Sequence, residues 1–366
     1  MKGDNFYRKE SSKEEKENKG KDKEEKEEDR LTKLPDEIIL HILSFVDAKT
    51  TVQTSVLNKR YRYLWASLPV LNFVDSFDLP EIFNSFVRHF LAYRDTSINI
   101  FNVNLEFLYS YEDEYFRDYM VDLIVNSTIE HVIGTPSVTT TIEGLTIDSY
   151  SLMSDLPKLS VCTSLTTLKL SNISIDTANF DIPTLKHLYL CYCQFDCELE
   201  SPFDPFKGCI NLESLYFHGC TYSAEINTFK ISPSHLVDLN MSGFISNGYF
   251  LSDSVFKLQS PRLKYFKYTG YDNLYPILTE INLLFVEKIY IDLRCLDNDT
   301  NSLYTLIELF EIMQSATSIS LSLEIIHVLS MFSYELEDKC SPFTRMQNYE
   351  IICDDSSSAM PRDEQY

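Results

Sequence analysis

The chain has 366 residues, 44% of them hydrophobic, and carries 55 acidic against 32 basic side chains, which gives a net charge of −23. This length allows one large domain or two to three ordinary ones, and the apolar content is typical of a folded protein. No apolar run reaches about eighteen residues, so no membrane-spanning helix is expected. The negative charge disfavours nucleic acid and anionic membranes as partners, because both are bound mainly through Lys and Arg.

The first 29 residues are a run of lysine and glutamate, with nine basic and eleven acidic side chains. We predict a disordered, charged tail over residues 1–29, and a single helix held by Glu–Lys pairs is the alternative. The run lacks the apolar centre of a signal peptide. An intracellular location, in the nucleus or the cytoplasm, is therefore expected, and the nine cysteines are expected to be free thiols.

Residues 30–73 combine three helix signals. Pro35 suits the first position of a helix because it has no N–H to leave unpaired, and Ile38 and Ile42 recur at helical spacing. Asp47 and Asn58 are candidate N-caps of a second and a third helix. So short a unit cannot comfortably bury a core of its own, which predicts that it docks against a neighbour.

This stretch resembles the F-box, and more narrowly the plant F-box at the head of leucine-rich-repeat proteins. The residues that carry the resemblance are Leu34 to Ile39, Ile42 to Phe45, Thr54 to Leu57, Lys59 with Arg60, and Leu64 with Trp65. Tyr61 stands where the family more often has Trp. The resemblance implies docking onto a Skp-family adaptor, which links an F-box protein to a cullin–RING ubiquitin ligase. The residues that it implies for this docking are Leu34, Pro35, Ile38, Ile42, Leu57 and Trp65.

A linking helix is predicted within residues 74–97, over Phe77 to Tyr93. It is expected to close the end of the following core with its apolar residues, which are Ile82, Phe83, Phe86, Val87 and Phe90.

A repeat of 20 to 27 residues occupies residues 98–353, in which an apolar residue is followed at the third and fifth positions by two more. The clearest copies begin at Leu165, Leu185, Leu212, Leu236 and Leu263, and weaker copies begin at Ile100, Ile142, Val286, Ala316 and Met346. Each copy predicts a short strand, and stacked copies predict a curved parallel sheet. Helices are expected over Asp113 to Val125 and Leu303 to Met313.

The predicted fold class is therefore α/β, with a three-helix F-box followed by an irregular leucine-rich-repeat solenoid. The repeats resemble those of plant F-box proteins. No FBD module, which ends many of those relatives, is evident, and residues 354–366 read as a polar C-terminal tail.

The residues that alternate with the leucines should lie on the concave face of the sheet. Tyrosine is frequent among them, and exposed tyrosine is common at protein interfaces; a merely solvated face is the alternative. Lys169, Lys267 and Lys288 could also form a local basic patch for an anion. The predicted target-binding residues are Lys169, His187, Tyr189, Tyr216, His218, Tyr265, Lys267 and Tyr290.

A group of cysteines and histidines resembles a metal cluster, but repeat architecture is favoured over a zinc site because their spacing follows the repeat and not the paired ligands of zinc sites. Cys193 and Cys220 both fall at the ninth position of their repeats, where a small residue packs inside the turn. The group comprises Cys191, Cys193, Cys197, Cys209, Cys220, His187 and His218. No cofactor is predicted, and no nucleophile or phosphate-binding motif points to an enzyme.

The resemblance implies a substrate-recognition subunit of an SCF-type ubiquitin ligase, whose repeats bind a target protein. The alternative is an interaction scaffold that uses the same repeat surface without promoting the turnover of its partners.

Overall fold

The structure is a computed structural model. It describes residues 33–77, 79–108, 123–130, 142–153, 159, 162–175, 180–196, 202–223, 225–246, 255–271, 280–281, 283, 285–337 and 341–353. Both predicted tails, most of the predicted helix over Asp113 to Val125, and Cys197 lie outside these residues.

The F-box region begins with two α-helices, α1 (Asp36–Leu43) and α2 (Ala48–Thr54). Asp47 caps α2 as predicted, because its side chain accepts a hydrogen bond from the Thr50 N–H at 2.9 Å. Pro35 lies one position earlier than predicted. It precedes α1, and its carbonyl accepts the first hydrogen bonds of the helix.

The third helical segment, Tyr61–Ser67, is a 3₁₀ helix. The Asn58 side chain accepts a hydrogen bond from the Arg60 N–H two residues later, at 3.1 Å, so a tight turn leads into this segment. Pro69 follows shortly after its end. At seven residues the segment is longer than most 3₁₀ helices, which seldom exceed about three to four residues.

Asn72 joins the F-box to the sheet that follows it. Its amide group donates hydrogen bonds to the carbonyls of Ser44, at 2.7 Å, and Val46, at 3.3 Å, just after α1. Its side-chain oxygen accepts a hydrogen bond from Asn104 at 2.6 Å. The buried F-box residue Ile39 belongs to the same continuous apolar core as the sheet. The predicted docking of the small helical unit against a neighbour is therefore met within the chain.

Strands account for most of the remaining chain. In chain order they are β1 (Val70–Asp75), β2 (Asn102–Phe107), β3 (Gly144–Met153), β4 (Thr167–Ile175), β5 (His187–Cys191), β6 (Gln194–Phe195), β7 (Ser214–His218), β8 (Thr221–Tyr222), β9 (Thr228–Ile231), β10 (Asp238–Ser242), β11 (Ile245–Ser246), β12 (Val255–Leu258), β13 (Tyr265–Tyr271), β14 (Glu280–Ile281), β15 (Lys288–Arg294), β16 (Ser318–Ser322) and β17 (Asn348–Ile352).

The main sheet is parallel and follows the repeats. Its path runs β1-β2-β3-β4-β5-β7-β10-β13-β15-β16-β17, so each strand lies beside the strand of the preceding repeat. Every predicted repeat, including the five weaker ones, is followed by one of these strands. The first strand, β1, was not predicted, and it crosses the expected boundary between residues 73 and 74. Short strands pair in a second layer, β4-β6-β8-β11, and β9, β12 and β14 form a separate three-stranded sheet.

The remaining helices are α3 (Pro80–Tyr93), α4 (123–130), α5 (Thr300–Ile312), α6 (Leu323–Met331) and α7 (Ser333–Leu336). In the part of the chain that the structure describes, none of the helices has the length and apolarity needed to cross a bilayer. The predicted linking helix corresponds to α3 and the predicted helix over Leu303 to Met313 corresponds to α5.

The linking helix α3 buries one face only. Phe83, Val87 and Phe90 are buried, at the spacing of one helical face. Ile82, which was expected to close the core with them, is 48% exposed, and Phe86 is half-buried. The prediction is therefore wrong for Ile82, because its position lies about a quarter-turn away from the buried stripe.

The core is formed on one face of the main sheet. The apolar residues of each repeat, such as Leu168 and Leu170, are buried and alternate along the strand with half-buried residues of the other face. Phe195 is fully buried in an aromatic cluster, with ring centroids 5.1–6.2 Å from its neighbours. These neighbours are Phe203, Phe206, Phe217, Phe229 and Phe244.

We predict that Phe195→Ala lowers the free energy of unfolding by about 3–5 kcal/mol, because the cavity it leaves is walled by rings of several repeats that cannot collapse into it. Urea denaturation followed by circular dichroism measures the change. Phe285→Ala is the matched control, since Phe285 is 66% exposed. An equal loss of stability in both variants would contradict the packing described here.

Candidate functional site

The F-box exposes large apolar side chains, which together we call the F-box apolar set. Helix α1 has two apolar stripes. Ile39 and Leu43 are buried, whereas Ile38 and Ile42 are 46% and 42% exposed. The other members lie after α1, after α2 and in the 3₁₀ helix. The set comprises Ile38, Ile42, Phe45, Val56, Leu57 and Tyr63.

Three of the residues implied for adaptor docking, Ile38, Ile42 and Leu57, belong to this set, and Pro35 is also exposed. Leu34 and Trp65 are half-buried against the core instead. The Trp65 ring lies 5.0 Å from the ring of Phe90 on α3, so it holds the F-box against the linking helix.

Phe45, Val56 and Tyr63 were missed as exposed apolar residues. Phe45 follows the end of α1 and Val56 follows the end of α2, so neither residue belongs to a helix. Periodicity therefore gives no indication of which side these two residues face.

Arg60 ties the F-box segments to each other. Its guanidinium forms a salt bridge with Asp36, with Nε 2.8 Å from Oδ1, and donates to the carbonyl of Leu34. The start of α1 is thereby fixed to the residue that precedes the 3₁₀ helix. The exposed stripe of α1 consequently has a defined orientation relative to Leu57 and Tyr63.

The second candidate surface is the open face, which we define as the side chains that alternate with the buried residues of the main sheet. All eight predicted target-binding residues lie on it. Strand register brings six neighbouring side chains into one row across six strands. The row is Lys169, Tyr189, Tyr216, Asn240, Lys267 and Tyr290.

The middle of this row is an aromatic stack. The Tyr189 and Tyr216 rings are nearly parallel, with centroids 4.6 Å apart and planes 5° apart. Lys169 Nζ lies 5.0 Å from the Tyr189 centroid, and the Tyr216 hydroxyl donates to Asp238 at 2.9 Å. Stacking and the cation–π contact restrict the rotation of these half-buried side chains. Their outer edges are therefore available to a partner at little further cost in side-chain ordering.

A second group of tyrosines and lysines lies on β13 and β15. Lys267 Nζ is 4.8 Å from the Tyr290 ring centroid. Desolvation raises the pKa of Tyr265 and of Tyr290, and nearby Asp238 and Asp292 act in the same direction on the two hydroxyls respectively. Both hydroxyls consequently remain protonated near neutral pH and can donate hydrogen bonds.

Tyr192, beside the open face, has an unusual backbone for a bulky residue. Its φ is +52°, in the left-handed region. Its hydroxyl lies 3.1 Å from His218 Nε2, and its ring packs edge-on against that imidazole. A Cβ at Gly219 would lie only 2.6 Å from the Tyr192 ring, so the next repeat needs glycine here.

Sequence reasoning missed Tyr192. The only available signal required alignment of the repeats. Asn172, Gly219 and Gly243 follow the same strand position in neighbouring repeats and also have positive φ. Asparagine and glycine are the residues that such a turn favours, whereas tyrosine is an exception. Backbone strain of this kind is often found at functional sites.

Two of the cysteines occupy the same position in successive repeats. Cys193 and Cys220 are buried at equivalent turns, where their thiols donate to the Leu170 carbonyl at 3.5 Å and the Leu190 carbonyl at 3.3 Å. Burial raises the pKa of the Cys209 thiol to about 12. Among the residues that the structure describes, no group of three or more His, Cys, Asp or Glu side chains could hold a metal ion.

Comparison with known proteins finds one matching domain family and several similar plant proteins. The F-box domain family matches residues 31–73. An FBD-associated F-box protein of Arabidopsis thaliana is 30% identical over 65% of this chain and 53% of its own length. An F-box/FBD/LRR-repeat protein of the same plant is 28% identical over 66% of this chain and 53% of its own length. F-box/LRR-repeat protein 13, also of this plant, is 28% identical over 65% of this chain and 51% of its own length. The chain thus spans about half the length of the curated relatives it matches, and the predicted resemblance is confirmed.

We predict that Gly219→Ala destabilises the protein more than Gly243→Ala. Both glycines have positive φ, which costs a Cβ-bearing residue about 1 kcal/mol. At Gly243, however, the nearest atoms to an added Cβ are 3.6 Å away, so the steric conflict with the Tyr192 ring arises at Gly219 alone of this pair. Urea unfolding of both variants gives the difference.

A Tyr192→Ala background serves as the control for this prediction. Removal of the ring should bring the cost of Gly219→Ala down to that of Gly243→Ala, because only the backbone term is left. An unchanged cost in that background would show that the Tyr192 ring does not determine the requirement for glycine.

Proposed function

We propose that this chain, an F-box protein of the plant F-box/LRR type, is the substrate-recognition subunit of an SCF-type cullin–RING ubiquitin ligase. The observation that supports this most directly is the double apolar stripe of α1, in which Ile39 and Leu43 are buried in the common apolar core while Ile38 and Ile42 remain exposed. Exposed apolar side chains grouped on one small unit indicate a protein partner.

The proposed adaptor-docking residues are Leu34, Pro35, Ile38, Ile42, Leu57 and Trp65, and the structure adds Phe45, Val56 and Tyr63 as candidates because they are exposed on the same unit. A Skp-family adaptor that buries this set would supply the apolar neighbours that the F-box lacks on its outer side. Leu34 and Trp65, being half-buried, would contribute mainly by holding the docking surface in place.

The proposed target-binding surface is the open face. We propose that the main sheet curves as a leucine-rich-repeat solenoid with this face concave, which is the usual binding surface of such folds. The proposed domains are the F-box at 30–73, a linking helix at 74–97 and the repeats at 98–353, although β1 (Val70–Asp75) already joins the sheet. We also propose a disordered, charged tail at 1–29 and a polar C-terminal tail at 354–366.

The proposed role is geometric rather than catalytic. Binding of the adaptor and of a target to one chain raises the effective concentration of target lysines near the charged ubiquitin enzyme. Asn72 supports this role, because its hydrogen bonds to Ser44, Val46 and Asn104 connect the F-box directly to the sheet. In this proposal the ubiquitin chemistry belongs to other subunits, in the nucleus or the cytoplasm.

We predict that Ile42→Asp combined with Leu57→Asp reduces co-purification of a Skp-family adaptor by about tenfold or more, because carboxylates would be buried without partners in an apolar interface. Pull-down with the full chain measures the retained adaptor. The matched control is Ile210→Asp with Phe285→Asp, since these residues are 55% and 66% exposed on the repeats.

Equal retention of the adaptor by the two double variants would contradict the assigned surface. The half-life of a captured partner separates the ligase subunit from the scaffold alternative. Depletion of this protein should lengthen the half-life of its target if the chain is a ligase subunit. An unchanged half-life, despite adaptor binding, would favour the scaffold.

A further inference from the structure

The open face has a compact block of lysine and tyrosine on β13 and β15. Register pairs Tyr265 with Lys288 and Lys267 with Tyr290, so the two residue types alternate along each strand and across the pair. Lys267 is half-buried beside the Tyr290 ring, and Lys288 is exposed. We call these four residues the Lys–Tyr block.

Neither lysine of the block forms an ion pair with another residue that the structure describes. Lys264, which immediately precedes β13, does form one, since its ammonium lies 3.1 Å from the carboxylate of Glu287. Lys186, which precedes β5, likewise lies 3.1 Å from the carboxylate of Glu213. Acidic side chains outnumber basic ones 55 to 32 in the whole chain, so carboxylates are plentiful as partners. Two adjacent lysines without one therefore indicate a place where an external anion fits.

The carboxylates nearest in register to the block hold other donors. Asp238 accepts the Tyr216 hydroxyl, Asp292 lies 3.3 Å from Arg294, and Glu350 accepts the Ser320 hydroxyl at 3.2 Å. On β16, the neighbours in register with Lys288 and Tyr290 are the small residues Ser318 and Ser320. The block consequently presents ammonium and phenol donors beside a strand whose side chains leave room for a ligand.

The spacing of the two lysines indicates the form of the ligand. They lie on neighbouring strands and are offset by two residues, which separates their Cα atoms by about 7–8 Å. Side chains at positions i and i+2 of an extended peptide lie on the same face and are also about 7 Å apart. One such peptide could therefore place a carboxylate on each lysine, with neighbouring tyrosine hydroxyls as further donors.

We infer that the Lys–Tyr block binds an extended segment of a partner protein that carries Asp or Glu at positions i and i+2. The inference rests on the proposed function, because it names the class of target that the open face selects. The negative charge of the rest of the chain acts as a filter. A long acidic tract would extend past the two lysines and be repelled by this charge, whereas a pair of acids can stay in contact with them.

The test uses the full-length protein and a fluorescein-labelled peptide, Gly-Ser-Glu-Tyr-Glu-Ser-Gly, with fluorescence anisotropy as the readout. We expect the affinity to fall at least about tenfold when both glutamates are replaced by glutamine. The same loss is expected when the protein carries Lys267→Gln with Lys288→Gln. Affinity for the original peptide should also decrease as salt increases, because the contacts are ionic.

The matched control is Lys186→Gln with Lys264→Gln, which removes the same charge from exposed lysines outside the open face and should leave binding unchanged. Lys267→Glu with Lys288→Glu gives a reciprocal test, since it should bind the peptide Gly-Ser-Lys-Tyr-Lys-Ser-Gly instead. Equal binding of the glutamate and glutamine peptides, or an equal loss in the control variant, would overturn the inference. Complete displacement by inorganic phosphate at matched ionic strength would overturn the choice of a carboxylate ligand.

The inference and the proposed function can fail separately. Peptide binding is measured without an adaptor, whereas the ligase role is measured by adaptor retention. Peptide binding without adaptor retention would support the inference and contradict the ligase role, so that the chain would bind acidic segments without belonging to a ligase. Adaptor retention without peptide binding would preserve the ligase subunit and remove the acidic segment as its target.

Discussion

Alternation of side chains along parallel strands is the constraint on which the rest of this structure depends. In every repeat the leucine positions face the core, and the residues between them therefore face the opposite side. Parallel register then aligns equivalent positions of successive repeats, so that Lys169, Tyr189 and Tyr216 become neighbours although 20 and 27 residues of chain separate them. The rule that builds the core also assembles the open face, without any additional folding signal.

The F-box solves a related problem with helical rather than strand periodicity. Helix α1 has to attach to the sheet and also offer an apolar surface, and two stripes offset by one residue achieve both. Ile39 and Leu43 join the common core, and Asn72 adds hydrogen bonds where α1 ends. Because burial and exposure use different faces of one helix, the exposed stripe of Ile38 and Ile42 cannot rotate without disturbing the core.

The sequence predicts the features that follow from periodicity and fails where tertiary contacts decide. The repeat beginning at Leu165 predicts β4 and its buried positions correctly, and Asp47 is recognised as a cap from residue type alone. Strand β1 was missed because it precedes the first recognisable repeat and overlaps the end of the F-box match. Trp65 lies against Phe90 rather than in the open because α3 offers an aromatic neighbour that sequence spacing does not reveal.

Residues of the open face are less constrained by packing than residues of the core. Lys267 and Lys288 lie on the open face and not in the core, so their replacement leaves no cavity there and these positions can vary independently of the core. Tyr192 is a place where the two requirements meet, because its left-handed backbone and its ring over Gly219 involve the repeat turn while its hydroxyl reaches His218 on the open face. A substitution at Tyr192 therefore also alters the packing over Gly219 in the next repeat, whereas a substitution at the Lys–Tyr block leaves the repeat turns unchanged.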